Sequence, residues 1–437
     1  MTLMNGRSLT IKGGNTIHFC KRNYLSMNPI CNRFNMSRAR ILNQKFKSTL
    51  ASNSSSGSIL MESKLGARVL TLNRPEKLNA INLEMANSLH SKLVKLEQSE
   101  LAKVIILKGN GRAFSSGGDV KEAAIGIKQG ELARTRKAFT EEYRLCHTIA
   151  TYNKPIVAFM NGITMGGGAG LAMHTPFRIA CEDTKFAMPE TTIGYFPDVG
   201  SSFFFNRMPF HIGKYLAFTS KVVNGEDCVP LGIATHFVPK HMLGELEQRL
   251  ADLNTSDIVK IGDTIDEFGG ELPRSSSLLN VQNLQAIDRC FKYHDQVSII
   301  RALKEETQSD WASEFAKETL ETLLKKSPLS LAVTNSLIER AGKWTISEAL
   351  MHDQIVSYHM LNQPDFLIGV DAQLIAKTRN PKWSYSWDHQ FGDLENIYSV
   401  PEEYKNGVPY HAKERSHSSS WDYNKYPHAY EDSKPYD

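Results

Sequence analysis

The sequence of 437 residues predicts an α/β fold, and three observations carry that reading. Short apolar runs of strand length occur at 104–107 and 155–160, with weaker ones at 177–180 and 236–238. An amphipathic stripe of Ile81, Met85, Leu89, Leu93 and Leu96 has helical spacing. Glycine-rich turns then follow two of the strands and lead toward helices.

Taken in chain order, 59–62 and 67–72 read as a hairpin with turn chemistry near Gly66. Asn82 is a candidate N-cap for the striped helix. The strand at 104–107 runs into Gly111-Arg-Ala-Phe-Ser-Ser-Gly-Gly-Asp119. The strand at 155–160 precedes Gly162-Ile-Thr-Met-Gly-Gly-Gly-Ala-Gly170, in which Gly166–Gly168 start a small-residue helix over 169–173. Pattern alone allows a doubly wound sheet. Residues 252–280, with Gly269-Gly270, Pro273 and Ser275-Ser-Ser277, read as an exposed insertion. Helices are expected near 282–304, 310–325, 329–340 and 346–361. The apolar periodicity ends near Trp387. Beyond it, 388–437 carries Tyr404, Tyr410, Tyr423, Tyr426, Tyr430 and Tyr436 among charged residues, Ser and Pro. That stretch reads either as a solvated tail or as an extension that orders on a partner. The chain thus divides into 1–55, 56–250, 251–387 and 388–437.

A hydrophobic fraction of 41% suffices for a globular core. The net charge of +4 is modest but unevenly placed. Residues 1–61 hold nine Lys or Arg and no acid, with Glu62 the first. This reads as a mitochondrial targeting segment over 1–55, the alternative being a basic arm kept in the mature protein. Its location would be the mitochondrial matrix. No apolar run reaches membrane-spanning length. The six cysteines show no C-x-x-C pair, which suits reduced thiols. His and Asp residues do not cluster at metal-ligand spacing, and neither a phosphate-binding P-loop nor a dinucleotide fingerprint is present. No metal or cofactor is called for.

Chemistry enters with Met188-Pro-Glu-Thr-Thr-Ile-Gly-Tyr-Phe-Pro-Asp198-Val-Gly200. Two glycine turns can aim N–H groups at a developing oxyanion, and Glu190 and Asp198 can handle water and protons. Each turn alone is a weak signal, since glycines also permit close packing. Together with the carboxylate loop they suggest acyl chemistry without a cysteine or serine nucleophile.

These segments, with Asn73-Arg-Pro-Glu-Lys-Leu-Asn-Ala-Ile81, resemble the crotonase (enoyl-CoA hydratase/isomerase) superfamily over roughly 58–385. Within it the sequence is most similar to the 3-hydroxyisobutyryl-CoA hydrolases, through Glu141-Glu-Tyr143, Phe186-Ala-Met-Pro-Glu190, Phe196-Pro-Asp-Val-Gly200, Gly232-Ile-Ala-Thr-His-Phe-Val238 and Asn380-Pro-Lys-Trp383. The resemblance implies a spiral of ββα turns with a C-terminal helical part over the acyl pocket. It implies backbone N–H groups of Ser115 and Gly167 as the oxyanion hole and Glu190 and Asp198 as catalytic. It makes Glu142 a substrate contact, where a solvated helix face is the ordinary alternative. Asp198 has its own alternative, as a cap for a helix starting at Gly200. Whether Glu190 is a base on water or attacks the acyl carbon stays open. A hydratase of this family carries a glutamate where Gly170 stands, which favours thioester hydrolysis over hydration. Two departures stand out: Ser201-Ser202 where the family has glycines, and Asp353-Gln354-Ile355 where it has an acidic-aromatic-Arg run. The implied activity is hydrolysis of 3-hydroxyisobutyryl-CoA in valine breakdown. Fungal members of the family also serve as structural proteins of the mitoribosomal small subunit, so the second implied role is assembly with its protein and rRNA.

Overall fold

The computed structural model describes residues 57–270, 280–387, 391 and 394–405. The basic segment 1–55, Pro273 with Ser275–Ser277, and Tyr410, Tyr423, Tyr426, Tyr430 and Tyr436 lie outside these residues.

Strands β1 (Ile59–Lys64) and β2 (Ala67–Leu72) form the expected hairpin, Ile59 opposite Leu72. The following helix, Leu83–Glu97, is capped by the Asn82 side chain, which accepts from Met85 N at 3.0 Å. That satisfies one of the N–H groups a helix start leaves unpaired. Its stripe of Met85, Leu89, Leu93 and Leu96 is buried. Strand β3 (Val104–Gly109) sends Ile105 and Leu107 into the main core and Val104 and Ile106 into a second core on the opposite face. A strand covered on both faces reads as an unbroken apolar run, which is why it was legible.

The remaining strands are β4 (Ala113–Ser115), β5 (Ile156–Phe159), β6 (Ile163–Met165), β7 (Phe177–Ala180), β8 (Lys185–Ala187), β9 (Val223–Asn224) and β10 (His236–Phe237). One sheet has the order β1-β2-β3-β5-β7-β10, the other β4-β6-β8-β9. After the antiparallel hairpin the large sheet is parallel throughout. Odd strands β3, β5 and β7 enter it, and each is followed by an even strand in the small sheet. The chain therefore climbs as a spiral of ββα turns, not as a doubly wound sheet. Each turn ends at one level, and this stacks the loops after β4, β6 and β8 on one another.

Residues 252–280 differ from the expected exposed insertion. Ile258–Asp266 is a helix capped by Asp257, with Ile261 and Ile265 buried in the second core beside Val104, Ile106 and Phe177. The spacing of Ile258, Ile261, Ile265 and Phe268 carries this helix, and the Gly-Ser-rich segment that follows obscured it. Burial of one such isoleucine contributes about 1.5–3 kcal/mol. The boundary drawn at 250 falls inside the helix Leu243–Leu253. The expected helix 282–304 is two, Val281–Phe291 and Gln296–Glu306, separated where Asp295 caps the second through Ser298 N at 2.7 Å. Helices Ser313–Leu323, Pro328–Arg340 and Ile346–Met360 follow as expected. The last carries a capping box between Thr345 and Glu348.

The chain does not leave the core at 387. A short helix, Glu395–Tyr398, lies against the helix Ile346–Met360, and Ile397 and Tyr404 are 8% and 6% exposed. Among the described residues no helix is long and apolar enough to cross a membrane.

Candidate active site

The Asn73–Ile81 loop builds one wall of the site. Asn79 is fully buried at φ 55, a left-handed geometry that asparagine tolerates. Its side-chain amide donates to Asn110 O at 2.9 Å and Ala113 O at 2.8 Å, holding the approach to β4. Arg74 donates to Ala80 O at 2.6 Å and pairs with Asp119 at 3.2 Å, which fixes the far end of the first glycine turn.

The two glycine turns interlock. A Cβ on Gly117 would lie 3.1 Å from Gly167 N, and one on Gly168 would lie 2.5 Å from Ser115 O. Only glycine permits this approach. Ser115 is fully buried; its hydroxyl donates to Asn79 O at 2.8 Å, so it is committed to the backbone. Gly167 is the first residue of the helix Gly167–Met173, where an N–H has no carbonyl to reach within the helix.

Two carboxyls close over these turns. Glu142 comes from the helix Leu132–Ala150 and is 6% exposed, so it is not on a solvated face. Its Oε1 lies 1.7 Å from where a Cβ on Gly167 would be. Glu190 opens the 3-10 turn Glu190–Ile193, and its Oε1 lies 2.7 Å from the corresponding position on Gly166. Glu142 Oε1 and Glu190 Oε2 are buried without a hydrogen-bond partner in the protein. Such atoms cost stability and mark a place where water or a ligand completes the site.

Asp198 accepts from Tyr143 OH at 2.7 Å, and it does not cap a helix. The helix Ser201–Asn206 starts at Gly200 with no side-chain cap. Gly200 N instead donates to Asp353 Oδ2 at 2.6 Å. The run at 353–355 that departs from the family pattern thus holds the Asp198 loop. His174, 0% exposed, makes a 2.6 Å bond to Val199 O on the other side of that turn. Burial pushes His174 down to about 4, which keeps it neutral as a donor. Tyr143, Tyr195 and Ser357 continue the network, at 3.2 Å and 2.7 Å.

Charge decides what these carboxyls can do. Burial, then the negative field of Asp198, pushes Glu142, Glu190 and Asp353 well above the usual carboxylate range. Burial raises Asp198 to about 7, while the Tyr143 hydrogen bond opposes the rise. Like charges packed this close cannot all ionise, so protons are shared among them. Lys326, 6% exposed, donates to Thr192 and Ser220 and is lowered by burial to about 7, with Glu190 opposing. Sequence reading missed Lys326, His174 and the roles of Tyr143 and Asp353. Their contacts span from 25 to 153 residues of chain, and no local spacing announces them.

Gly170 cannot carry the hydratase glutamate. A Cβ there would lie 2.6 Å from Val199 Cβ. The residue after Asp198 fills the space. A cleft between the helices Val120–Lys128 and Leu132–Ala150 leads to the site, lined by Asn82, Gly118, Ala123, Phe139 and Glu142. Site residues Glu142 and Gly118 form its inner end.

Residues 67–393 match the family model described as enoyl-CoA hydratase/isomerase. The small ribosomal subunit protein mS47 of Schizosaccharomyces pombe is 59% identical over 407 residues, 93% of this chain and 93% of its own. That match is longer than the family match and takes in residues flanking it. The mitochondrial 3-hydroxyisobutyryl-CoA hydrolase of Danio rerio is 40% identical over 338 residues, 76% of this chain and 87% of its own. Among solved structures, a carnitinyl-CoA dehydratase from Mycobacterium thermoresistibile superposes with a TM-score of 0.71 at 30% identity, over 79% of this chain and 97% of that one.

Proposed function

The chain belongs to the enoyl-CoA hydratase/isomerase family, the crotonases, and from that premise we propose that it is a component of the small ribosomal subunit of mitochondria. The observation that carries this is the 59% identity to the S. pombe subunit protein across 93% of both chains. Six hydrolase relatives match less of this chain, 73–79%, and at lower identity, 36–40%. This reverses the order of the two roles that the motifs suggest. A mitochondrial address is supported by the mitochondrial location of the zebrafish hydrolase and by the acid-free basic segment 1–61. The test is sedimentation of mitochondrial lysate with an antibody to this chain; co-migration with small-subunit rRNA is expected, and migration only with free protein overturns the proposal.

A second reading is favoured by the carboxyl cluster at the interlocked glycine turns: the site hydrolyses an acyl-CoA thioester, 3-hydroxyisobutyryl-CoA by family. Water adds to the thioester carbonyl carbon, and its proton passes to the Glu190–Asp198 pair. The N–H groups of Ser115 and Gly167 hold the oxyanion; removing one such donor costs about 3–4 kcal/mol. Collapse breaks the carbon–sulfur bond, and the same pair returns the proton to the CoA thiolate. A protonated Glu142 donates to the acyl group. Release of free thiol from 3-hydroxyisobutyryl-CoA by the purified protein tests it, and no release above the Glu190→Gln background rejects it. The two roles are compatible, since assembly uses surface and hydrolysis uses the interior.

A further inference from the structure

Gln354 joins three segments of chain. It stands on the helix Ile346–Met360, is 1% exposed, and uses both amide hydrogens: one to Thr140 Oγ1 at 2.9 Å, the other to Tyr404 OH at 2.9 Å. Thr140 lies on the helix Leu132–Ala150, two and three residues before Glu142 and Tyr143. Residues 395–404 bind the same pair of helices elsewhere. Ser399 O meets His359 Nε2 at 2.8 Å and Tyr404 packs edge-on against Tyr358 at 5.5 Å, both on the helix Ile346–Met360, while Glu403 pairs with Arg136 of the helix Leu132–Ala150 at 3.9 Å. The segment therefore straps the helix bearing Glu142 and Tyr143 to the one bearing Asp353 and Ser357. There is no slack at the site end, because Glu142 Oε1 already fills the place of a Gly167 side chain.

We propose that Tyr404 is a positioning residue for the thioester site, its hydroxyl setting through Gln354 and Thr140 the placement of Glu142 and Tyr143. This rests on the second reading above. Without the hydroxyl one buried amide hydrogen of Gln354 loses its acceptor, the amide turns, and Thr140 is released. Tyr143 then withdraws from Asp198, and the carboxylate loses the bond that favours its charged form. Asp198 is left facing Glu142 from the same helix, Glu190 and Tyr195 from its own loop and Asp353 from the other helix.

The experiment compares full-length wild-type protein with Tyr404→Phe and with the double variant Gln354→Leu/Tyr404→Phe, which removes donor and acceptor together. Amide hydrogen exchange over 136–143 and calorimetric binding of a non-hydrolysable acyl-CoA thioether between pH 5 and 9 are the readouts. Tyr404→Phe is expected to speed exchange in 136–143, weaken binding about tenfold, and move the pH midpoint of binding upward; the double variant, which leaves Thr140 without the Gln354 amide, is expected to exchange at least as fast as Tyr404→Phe. Wild-type exchange in Tyr404→Phe overturns the proposal. So does a loss of affinity with an unmoved pH midpoint, which marks a merely structural tyrosine. If the wild type binds no thioether at any pH, the thioester reading falls and the proposal with it, whereas faster exchange beside normal binding rejects the proposal alone.

Discussion

Val199 and Gly170 approach too closely for any side chain at 170. A hydratase glutamate at 170 would meet Val199, which stands at φ 54 beside Asp198. Gly170→Glu is therefore expected to lower stability by about 1–3 kcal/mol or more through overpacking, and to confer no hydratase activity in a direct assay with crotonyl-CoA. For hydrolysis, Glu190→Gln and Asp198→Asn are each expected to lower turnover at least about a hundredfold while CoA binding survives. The acid limb of kcat/KM should fall near the raised value of Asp198, about 7. Tyr143→Phe should move that limb upward, because the lost hydrogen bond favoured the carboxylate. Stability carries the same sign. Asp198 contributes most below its ordinary value of 3.8, and that contribution is lost as pH rises through about 7. Denaturant titrations of Asp198→Asn and wild type should thus show the variant gaining relative stability between about pH 4 and 7 and levelling off above it. At this scale the sequence singled out Glu190, Asp198, Glu142 and the glycine turns, which the fold brings together, because each sits inside a contiguous motif. Asp353, His174 and Lys326 stayed hidden because burial, not spacing, gives them their role.

Among elements, legibility followed periodicity. The hairpin, the helix Leu83–Glu97 and the doubly buried strand β3 announce themselves through repeat length and flanking turns. The helix Ile258–Asp266 has the same kind of stripe, masked by its neighbours' composition. Ile261→Ala should cost about 2–5 kcal/mol by urea titration if that helix covers the sheet, and a cost below 0.5 kcal/mol would put it outside the core. The C-terminal segment was missed for another reason: Ile397 and Tyr404 are too few to form a pattern, yet both are buried. Truncation after Trp387 should lower the melting temperature below that of a chain ending at Lys405, because it strips His359 and Gln354 of partners. Equal melting temperatures would mean the segment is not part of the folded unit.

At the scale of the molecule, the ββα spiral brings the loops after β4, β6 and β8 to one place, and a carboxyl cluster gathers there. Sequence pattern gave strands and helices but allowed two sheet topologies; which strands pair is a long-range property that only the resemblance anticipated. Motifs likewise marked the interior carboxyls and glycine turns and were silent on the surface, where the proposed assembly would be decided. Identity over 93% of the chain, flanking segments included, supports the proposed ribosomal role. The most direct measurement is a sucrose gradient of mitochondrial lysate from cells carrying this chain at its native level, probed for the protein and for small-subunit rRNA. The protein is expected to peak with the small subunit, and to do so equally for Glu190→Gln, since the proposed assembly would use surface rather than the interior site. Full-length protein confined to the top of the gradient would contradict it.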